Sequence, residues 1–351
     1  MKPIKKEKID LTYSCFRYPL PEGTIEELAK ELKNINRYPS GGEYIKLRQV
    51  LADYVGLKIE NIFPASGSVD VIEIVTRAYQ GEVLIPIPTF SHYELSADRL
   101  GLPKVLVNCL QDREYNINYS TQQLDKASLV WICNPNNPTG SEILRDKIID
   151  ILQRAKGMVI VDECNYDYLG KTVIDLIDKY PNLIISRSFS KSFGLAGLRL
   201  GFAISNSHNI KKLAAFGRYF RVNRIAEKAA GEVLKHLDYY QEAWKKIKKV
   251  RDNFVRQINE LGFFAYNSKS NVVLVEFNNK KETERVWKYL KEKGVYTTPG
   301  WDKNEFSGLG DQFIRFTVGA EWEMDRVVKI LTKYSCKNSS LSKGEYENKF
   351  K

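Results

Sequence analysis

Lys191 stands between two serines in Ser188-Phe189-Ser190-Lys191-Ser192-Phe193-Gly194, directly after an apolar run, with Arg199 eight residues further on. An amine in a small, glycine-punctuated loop behind a buried strand is poorly solvated. Desolvation and a neighbouring cation both lower a lysine pKa, and the freed amine is a nucleophile for carbonyl groups. A lone lysine of this kind is far more often an exposed side chain, so the reading rests on its companions. Asn134-Pro135-Asn136-Asn137-Pro138-Thr139-Gly140 follows the uninterrupted apolar run Leu129-Val130-Trp131-Ile132-Cys133. Its prolines and glycine fix a loop that can aim an amide side chain, although a rigid turn would look the same. Asp162 closes the run Met158-Val159-Ile160-Val161. An acid there can hold a positive ring nitrogen, or merely cap the next turn. Ala65-Ser66-Gly67-Ser68 leads into a helical pattern, and a helix N-terminus built of small residues exposes N–H groups that seat a phosphate. No Gly-Lys-Ser/Thr follows, so this is not a P-loop.

Each segment has an ordinary explanation when taken alone. Together they match one ligand. The lysine needs an aldehyde, and the helix N-terminus with Ser188 and Arg199 needs a phosphate. The aspartate needs a protonated pyridine, and the amide needs a ring oxygen. That ligand is pyridoxal 5'-phosphate.

These pieces need a scaffold. Strand-like stretches at 83–85, 104–107, 129–133, 158–161, 182–186 and 200–204 recur at intervals of very roughly 20–30 residues, with helical patterns between several of them. Uninterrupted apolar runs suit strands buried on both faces. The pattern therefore predicts an α/β fold with a mostly parallel sheet and helices on both sides. Ligands of such sheets bind beyond the carboxyl ends of the strands. Residues 21–34 read as a helix with its lead-in, capped by Thr24 with Glu27 three positions later. Residues 43–55 read as a second helix after a turn at 38–42, and 224–261 as one long lysine-rich helix. From Asn271 the grammar changes to a compact α+β unit, with strands at 271–277, 294–297 and 313–318 and helices at 282–293 and 323–334. The expected organisation is an N-terminal segment (1–35) packing on the small domain, a large cofactor-binding domain (36–240), a small C-terminal domain (241–336) and a polar, disordered tail (337–351).

The chain has 351 residues, too many for one small module. Its 43% apolar and 28% charged residues exclude whole-chain disorder and collagen-like or disulfide-scaffold classes. Lysine plus arginine is 54 against 43 acids, a net charge of +11. The basic residues lie in short scattered runs, which suits a solvated surface better than a nucleic-acid partner. Five cysteines without CxxC spacing and three scattered histidines predict neither a disulfide framework nor a metal site. The basic N-terminus leads into no apolar stretch, and no run approaches a membrane span. A cytoplasmic enzyme without a membrane partner is the expectation.

From about Leu32 to Trp322 the chain resembles the class I/II aminotransferases of fold type I, nearest the histidinol-phosphate aminotransferase branch. The segments that carry the resemblance are SFSKSFGLAGLRLGF at 188–202, NPNNPTG at 134–140 and IRFTVG at 314–319. The resemblance implies that Lys191 would hold the cofactor covalently and then carry a proton between the substrate Cα and cofactor carbon C4′. Asp162 would pair with the ring nitrogen and Asn137 with the ring oxygen, and Phe90 would stack on the ring. Gly67, Ser68 and the amide of Val69 would hold the phosphate, with Ser188, Ser190 and Arg199. Arg315 would grip the substrate carboxylate with both arms of its guanidinium. Tyr38 would reach the cofactor phosphate of a neighbouring subunit, which implies a homodimer with shared active sites. The implied reaction moves an amino group between an L-amino acid, or an amino phosphate such as histidinol phosphate, and a 2-oxo acid. The threonine-phosphate decarboxylases are the alternative relatives.

Three departures from the family pattern bear on the site. The family has Asp-x-Ala-Tyr, whereas Asp162 is followed by Glu163, Cys164, Asn165 and then Tyr166, one place late. Either Asn165 takes the tyrosine's polar role or a bulge brings Tyr166 to the cofactor. Ser14-Cys15-Phe16-Arg17-Tyr18-Pro19 replaces an Asn-x-Asn-Pro element. Thr298 stands where the branch carries a phosphate-binding arginine, leaving Arg17, Arg218, Arg221 and Arg224 as candidates to compensate.

Overall fold

The computed structural model describes residues 8–39 and 44–338. The centre of the turn expected at 38–42, and the tail beyond 338, lie outside them. The apolar runs form a seven-stranded sheet in the order Ile62–Ala65, Gly201–Ile204, Leu183–Ser188, Met158–Asp162, Leu129–Cys133, Val83–Ile87, Lys104–Asn108. Every neighbouring pair is parallel except those made by Gly201–Ile204, which is antiparallel to both of its neighbours. The sheet has an apolar core on each face. Successive side chains point to opposite sides of a strand, so Val130 and Ile132 join one buried cluster while Leu129, Trp131 and Cys133 join the other. Ile160 and Ile184 share the second cluster with Trp131. This double burial is why the runs read as uninterrupted.

A second sheet, wholly antiparallel, has the order Phe264–Ala265, Val272–Glu276, Phe313–Thr317, Thr298–Pro299. The N-terminal segment is stitched to this unit by a parallel pairing of Ile9–Asp10 with Val295–Tyr296. Phe306–Ser307 pairs back onto Thr89–Phe90 of the first unit. No helix among the described residues is long and apolar enough to cross a membrane.

Three local expectations are corrected. The first helix, Thr24–Glu31, starts after Gly23, whose backbone is left-handed at φ 76°, and no side chain caps it. Thr24 is instead buried, which turns its hydroxyl inward. The long lysine-rich stretch is two helices, Arg224–Leu234 and Leu237–Glu260. No proline marks the break. The first helix packs on Thr24–Glu31 and Ile45–Val55, the second on the C-terminal helix and second sheet, so a change of partner forces a change of direction. The last helix is Glu321–Asn338, longer than its apolar periodicity showed.

A buried ion pair ties Glu163, the residue just after the strand Met158–Asp162, to Arg187 of the neighbouring strand. Glu163 accepts from Arg187 Nε at 3.1 Å and Nη2 at 2.8 Å, with side chains 0% and 5% exposed. The Val173 N–H also donates to Glu163 at 2.9 Å. Removing one partner strands the other in a medium that cannot solvate it. Glu163→Leu is therefore expected to lower unfolding stability by about 3–5 kcal/mol in urea titration. A loss under about 1 kcal/mol would show the pair to be dispensable.

Candidate active site

The topology brings the predicted residues to one edge. The parallel strands Leu129–Cys133, Met158–Asp162 and Leu183–Ser188 are adjacent and run the same way. Their carboxyl ends deliver Asn137, Asp162 and Lys191 side by side. Gly201–Ile204 runs the opposite way, so its start lies at that same edge and places Arg199 there. Ile62–Ala65 ends opposite it, with Ala65 paired to Gly201, and hands the chain to the helix Ser68–Ala78. The result is a cleft of about 400 Å³ lined by Ser68, Val69, Phe90, Asn137, Asp162, Ser188, Ser190, Lys191, Arg199 and Arg315, among others.

Asp162 is 4% exposed, and both its oxygens are held. The Tyr93 hydroxyl donates to Oδ2 at 2.6 Å and the Cys164 N–H donates to Oδ1 at 3.0 Å. Tyr93 is itself fixed by stacking on Trp131, with ring centroids 4.5 Å apart. Burial first, and the charge of Asp162 next, push the Tyr93 phenol well above its ordinary range. It stays a donor. A buried carboxylate aimed into a cleft by two fixed donors is suited to bracing a cationic ring nitrogen.

The end of the cleft at Gly67 and Arg199 has its own geometry. Gly67 precedes the helix with φ 81°, and a Cβ there would come within 2.8 Å of Arg199 Nη2. A Cβ on Gly201 would meet Gly67 C at 2.7 Å and Ser68 N at 2.8 Å. Both glycines thus let the guanidinium and the helix start approach a common point. Arg199 also lies 3.4 Å from Ser190 Oγ and 3.1 Å from the Ala196 carbonyl, to which it donates. The first-turn amides of Ser68 and Val69 belong to the set a helix leaves unsatisfied. Asn165 lines the cleft with a buried Oδ1 that has no hydrogen-bond partner. The cradle, the held acid and this orphaned acceptor fit a phosphorylated pyridine aldehyde.

Arg315 comes from the second sheet and is 1% exposed. Its Nη1 donates to Asn137 Oδ1 at 3.1 Å and its Nη2 to Thr298 Oγ1 at 3.2 Å. The Thr12 carbonyl also accepts from Nη2, and Glu305 Oε2 lies 3.2 Å from it. Nε is buried without a partner. Burial pulls the Arg315 pKa below the usual guanidinium value, against the opposing charge of Glu305. A buried cation with an unused donor suits an incoming carboxylate. Arg315→Ala should weaken every carboxylate substrate by roughly 1.5–3 kcal/mol, about tenfold to over a hundredfold in KM. Steady-state kinetics with several donors checks this, and an unchanged KM would remove the role.

Some expected residues lie elsewhere. Tyr166, expected among the cofactor contacts, is outside the cleft. Its hydroxyl meets Tyr54 Oη at 2.8 Å and the Arg187 guanidinium covers its ring at 3.7 Å. Asn165 and Cys164 face the cleft instead, because the chain turns straight into the short helix Tyr166–Leu169 without a bulge. Tyr38, expected at a neighbouring subunit's cofactor and not at this chain's own, is 75% exposed and stacks on Phe220 at 4.4 Å. Of the possible compensating arginines, Arg17 is engaged by Glu323, Arg221 by the Pro64 carbonyl and Arg224 by Glu31. The sequence reading missed Tyr13, Tyr93, Cys133 and Glu305, whereas Ser14 and Cys15, which open the departing N-terminal segment, do line the cleft. The apolar run 129–133 pointed to Cys133 as a strand terminus, but nothing local distinguished Glu305.

A lysine, a held acid and a helix N-terminus beside an arginine lie together at the carboxyl-end edge of this mostly parallel sheet, the arrangement of a pyridoxal-phosphate-dependent enzyme of fold type I. The chain belongs to the aminotransferase class I and II family, which it matches over residues 6–331. It is 36% identical over 298 residues to the histidinol-phosphate aminotransferase of Caldanaerobacter subterraneus subsp. tengcongensis, covering 83% of each chain. Among solved structures it is similar to the histidinol-phosphate aminotransferase of Clostridium acetobutylicum, with a TM-score of 0.84, 26% identity and coverage of 93% of this chain and 99% of that one. The histidinol-phosphate aminotransferase of Sinorhizobium meliloti, solved in complex with pyridoxal-5'-phosphate, shares the fold with a TM-score of 0.84 at 21% identity, covering 95% and 92%. The cofactor is pyridoxal 5'-phosphate.

Proposed function

We propose that this cleft performs reversible amino transfer between an L-amino acid and a 2-oxo acid, with Lys191, Asp162, Asn137 and Arg315 as the working groups. One observation carries the reading: Lys191, Asp162 and Arg315, from three separated stretches of chain, open on one cavity. Bound there, the cofactor supplies an electron sink that lets the substrate's Cα–H bond ionise. Asp162 balances the positive ring nitrogen, and Tyr93 and Cys164 keep its carboxylate in place. Lys191 takes the proton from Cα and returns it at C4′, acting as general base and then general acid. Asn137 donates to the ring oxygen while its carbonyl oxygen accepts from Arg315, which couples cofactor position to substrate position. Gly67, Ser68, Val69, Ser188, Ser190 and Arg199 hold the phosphate, and Phe90 covers the ring. In this reading residues 36–240 bind the cofactor, and residues 241–336 contribute Arg315.

The active unit in this reading is a homodimer. Tyr38, Tyr219 and Phe220 are exposed and in contact, Phe220 with Tyr38 at 4.4 Å and with Tyr219 at 4.6 Å between ring centroids, and clustered apolar exposure marks interaction surfaces. All five cysteines are free, which suits a reducing cytoplasm. The test is product analysis with a panel of amino donors and 2-oxo acids. Matched formation of a new amino acid and a new oxo acid supports transfer. Carbon dioxide released with no need for an oxo acid would replace it with decarboxylation.

A further inference from the structure

Under the function proposed above, Phe90 covers the cofactor ring with one face. Its other face is not bare. The imidazole of His92 lies on it, with ring centroids 4.6 Å apart and planes 15° from parallel. Phe90 and Tyr93 line the cleft, and His92 sits behind Phe90, outside that lining. Tyr93 meets Phe90 at 85°, with centroids 5.9 Å apart. His92 therefore takes one face of the phenyl ring and leaves the other to a ligand. It has no place in the proton transfers assigned above, because Phe90 stands between it and the cleft.

The backbone that carries both rings is locked. Thr89–Phe90 pairs with Phe306–Ser307. Between the two rings, Ser91 donates its N–H to the Glu305 carbonyl at 3.2 Å and its hydroxyl to the Asn304 carbonyl. His92 then opens the helix His92–Arg99. With the strand and the helix start both held, the stack is a built contact, and stacked rings hold each other beyond the effect of burial alone. Burial first and the cation of Arg99 next keep the His92 pKa below the ordinary histidine value; Glu73 opposes them and Arg199 adds a smaller push the same way. Its place at a helix N-terminus also disfavours the charge. A neutral imidazole leaves the π face of Phe90 free to meet a cationic ring, whereas a cation behind it would compete for the same electron density.

We propose that His92 is a positioning residue for the cofactor: it backs Phe90 and sets the plane in which that ring meets the cofactor. This rests on the reading that Phe90 covers the cofactor ring. The next residue, Tyr93, holds Asp162, so one helix start serves the ring at its face and at its nitrogen.

The experiment titrates the full chain, freed of its cofactor, with pyridoxamine 5'-phosphate. That molecule has the ring and the phosphate but no aldehyde, so its binding reports the non-covalent grip alone. Visible circular dichroism of the holoenzyme gives a second signal. His92→Leu and His92→Gln remove the ring and keep most of its bulk, while His92→Phe keeps a ring. Both ring-less variants should bind about three- to tenfold more weakly than the wild type and lose part of the visible dichroism, and His92→Phe should restore binding to within about twofold. The double variant Phe90→Leu/His92→Leu should bind no more weakly than Phe90→Leu, because His92 acts through Phe90. Wild-type affinity and dichroism in both ring-less variants overturn the proposal. So does a loss in His92→Phe equal to theirs, and so do fully additive losses in the double variant. Phe90→Leu alone tests the underlying reading. If it changes neither signal, Phe90 does not cover the ring and that reading fails. If it weakens binding while the His92 variants do not, only the role of His92 falls. Urea unfolding of each variant is the control, since a general loss of packing would not follow the presence of a ring.

Discussion

Lys191→Ala is expected to abolish turnover and covalent cofactor attachment together while leaving the fold intact. The loop does not depend on the amine for its shape. The Lys191 carbonyl accepts from the Tyr168 hydroxyl at 3.2 Å, and the Ser192 carbonyl accepts from Trp244 Nε1 at 2.8 Å. Phe189 and Phe193 anchor the loop in the core at 1% and 2% exposure. Truncating the side chain removes only the nucleophile and the proton carrier. General acid–base catalysis and covalent catalysis are lost at once, so kcat/KM should fall by roughly 10³-fold or more. In the proposed assignment other residues hold the phosphate, so the variant should still take up cofactor, more weakly and reversibly. Borohydride reduction followed by peptide mass spectrometry separates these effects. Wild-type protein should carry the cofactor mass on the peptide containing Lys191, and the variant should carry none. A variant within about tenfold of wild-type activity, or a cofactor found on another lysine, would end the assignment.

The legible parts of the site share one property: they follow buried strands in sequence. Asn137, Asp162 and Lys191 each come within a few residues of an apolar run, and a parallel sheet puts all such termini on one edge. The parts that were not legible depend on long-range pairing or on one-residue register. Glu305 reaches the cleft only because Phe306 pairs with Phe90 far away in sequence. Its own loop has no period to read. Tyr93 looks like any core tyrosine in a helix until stacking on Trp131 and the bond to Asp162 are known. Asn165 and Tyr166 compete for one position, and only the start of a four-residue helix decides between them. The division at Lys235-His236 is similar. Both halves are amphipathic, and the neighbours that turn the chain lie in separate parts of the fold. The cap expected at Thr24 failed because the side chain is buried, which local motif reasoning does not see.

Asp162→Asn should reduce kcat by about 10²–10³-fold, equivalent to roughly 2.7–4 kcal/mol of lost electrostatic stabilisation, with little change in folding stability. The amide has nearly the volume of the carboxylate, and its one carbonyl oxygen can still accept from the Tyr93 hydroxyl or the Cys164 N–H. Packing is therefore conserved and the charge alone is lost. An amide cannot balance a protonated ring nitrogen, so the electron sink that the cofactor would supply is weakened. The effect should fall on kcat rather than KM, because the charge matters most when electrons flow into the ring. Tyr93→Phe provides the graded comparison. It removes one hydrogen bond to the carboxylate, keeps the charge, and should cost about tenfold or less. Single-turnover rates with one amino donor, measured beside urea unfolding of each variant, test both. If Asp162→Asn turned over as fast as Tyr93→Phe, the carboxylate would be a structural anchor for the strand end and the electron sink would need another support.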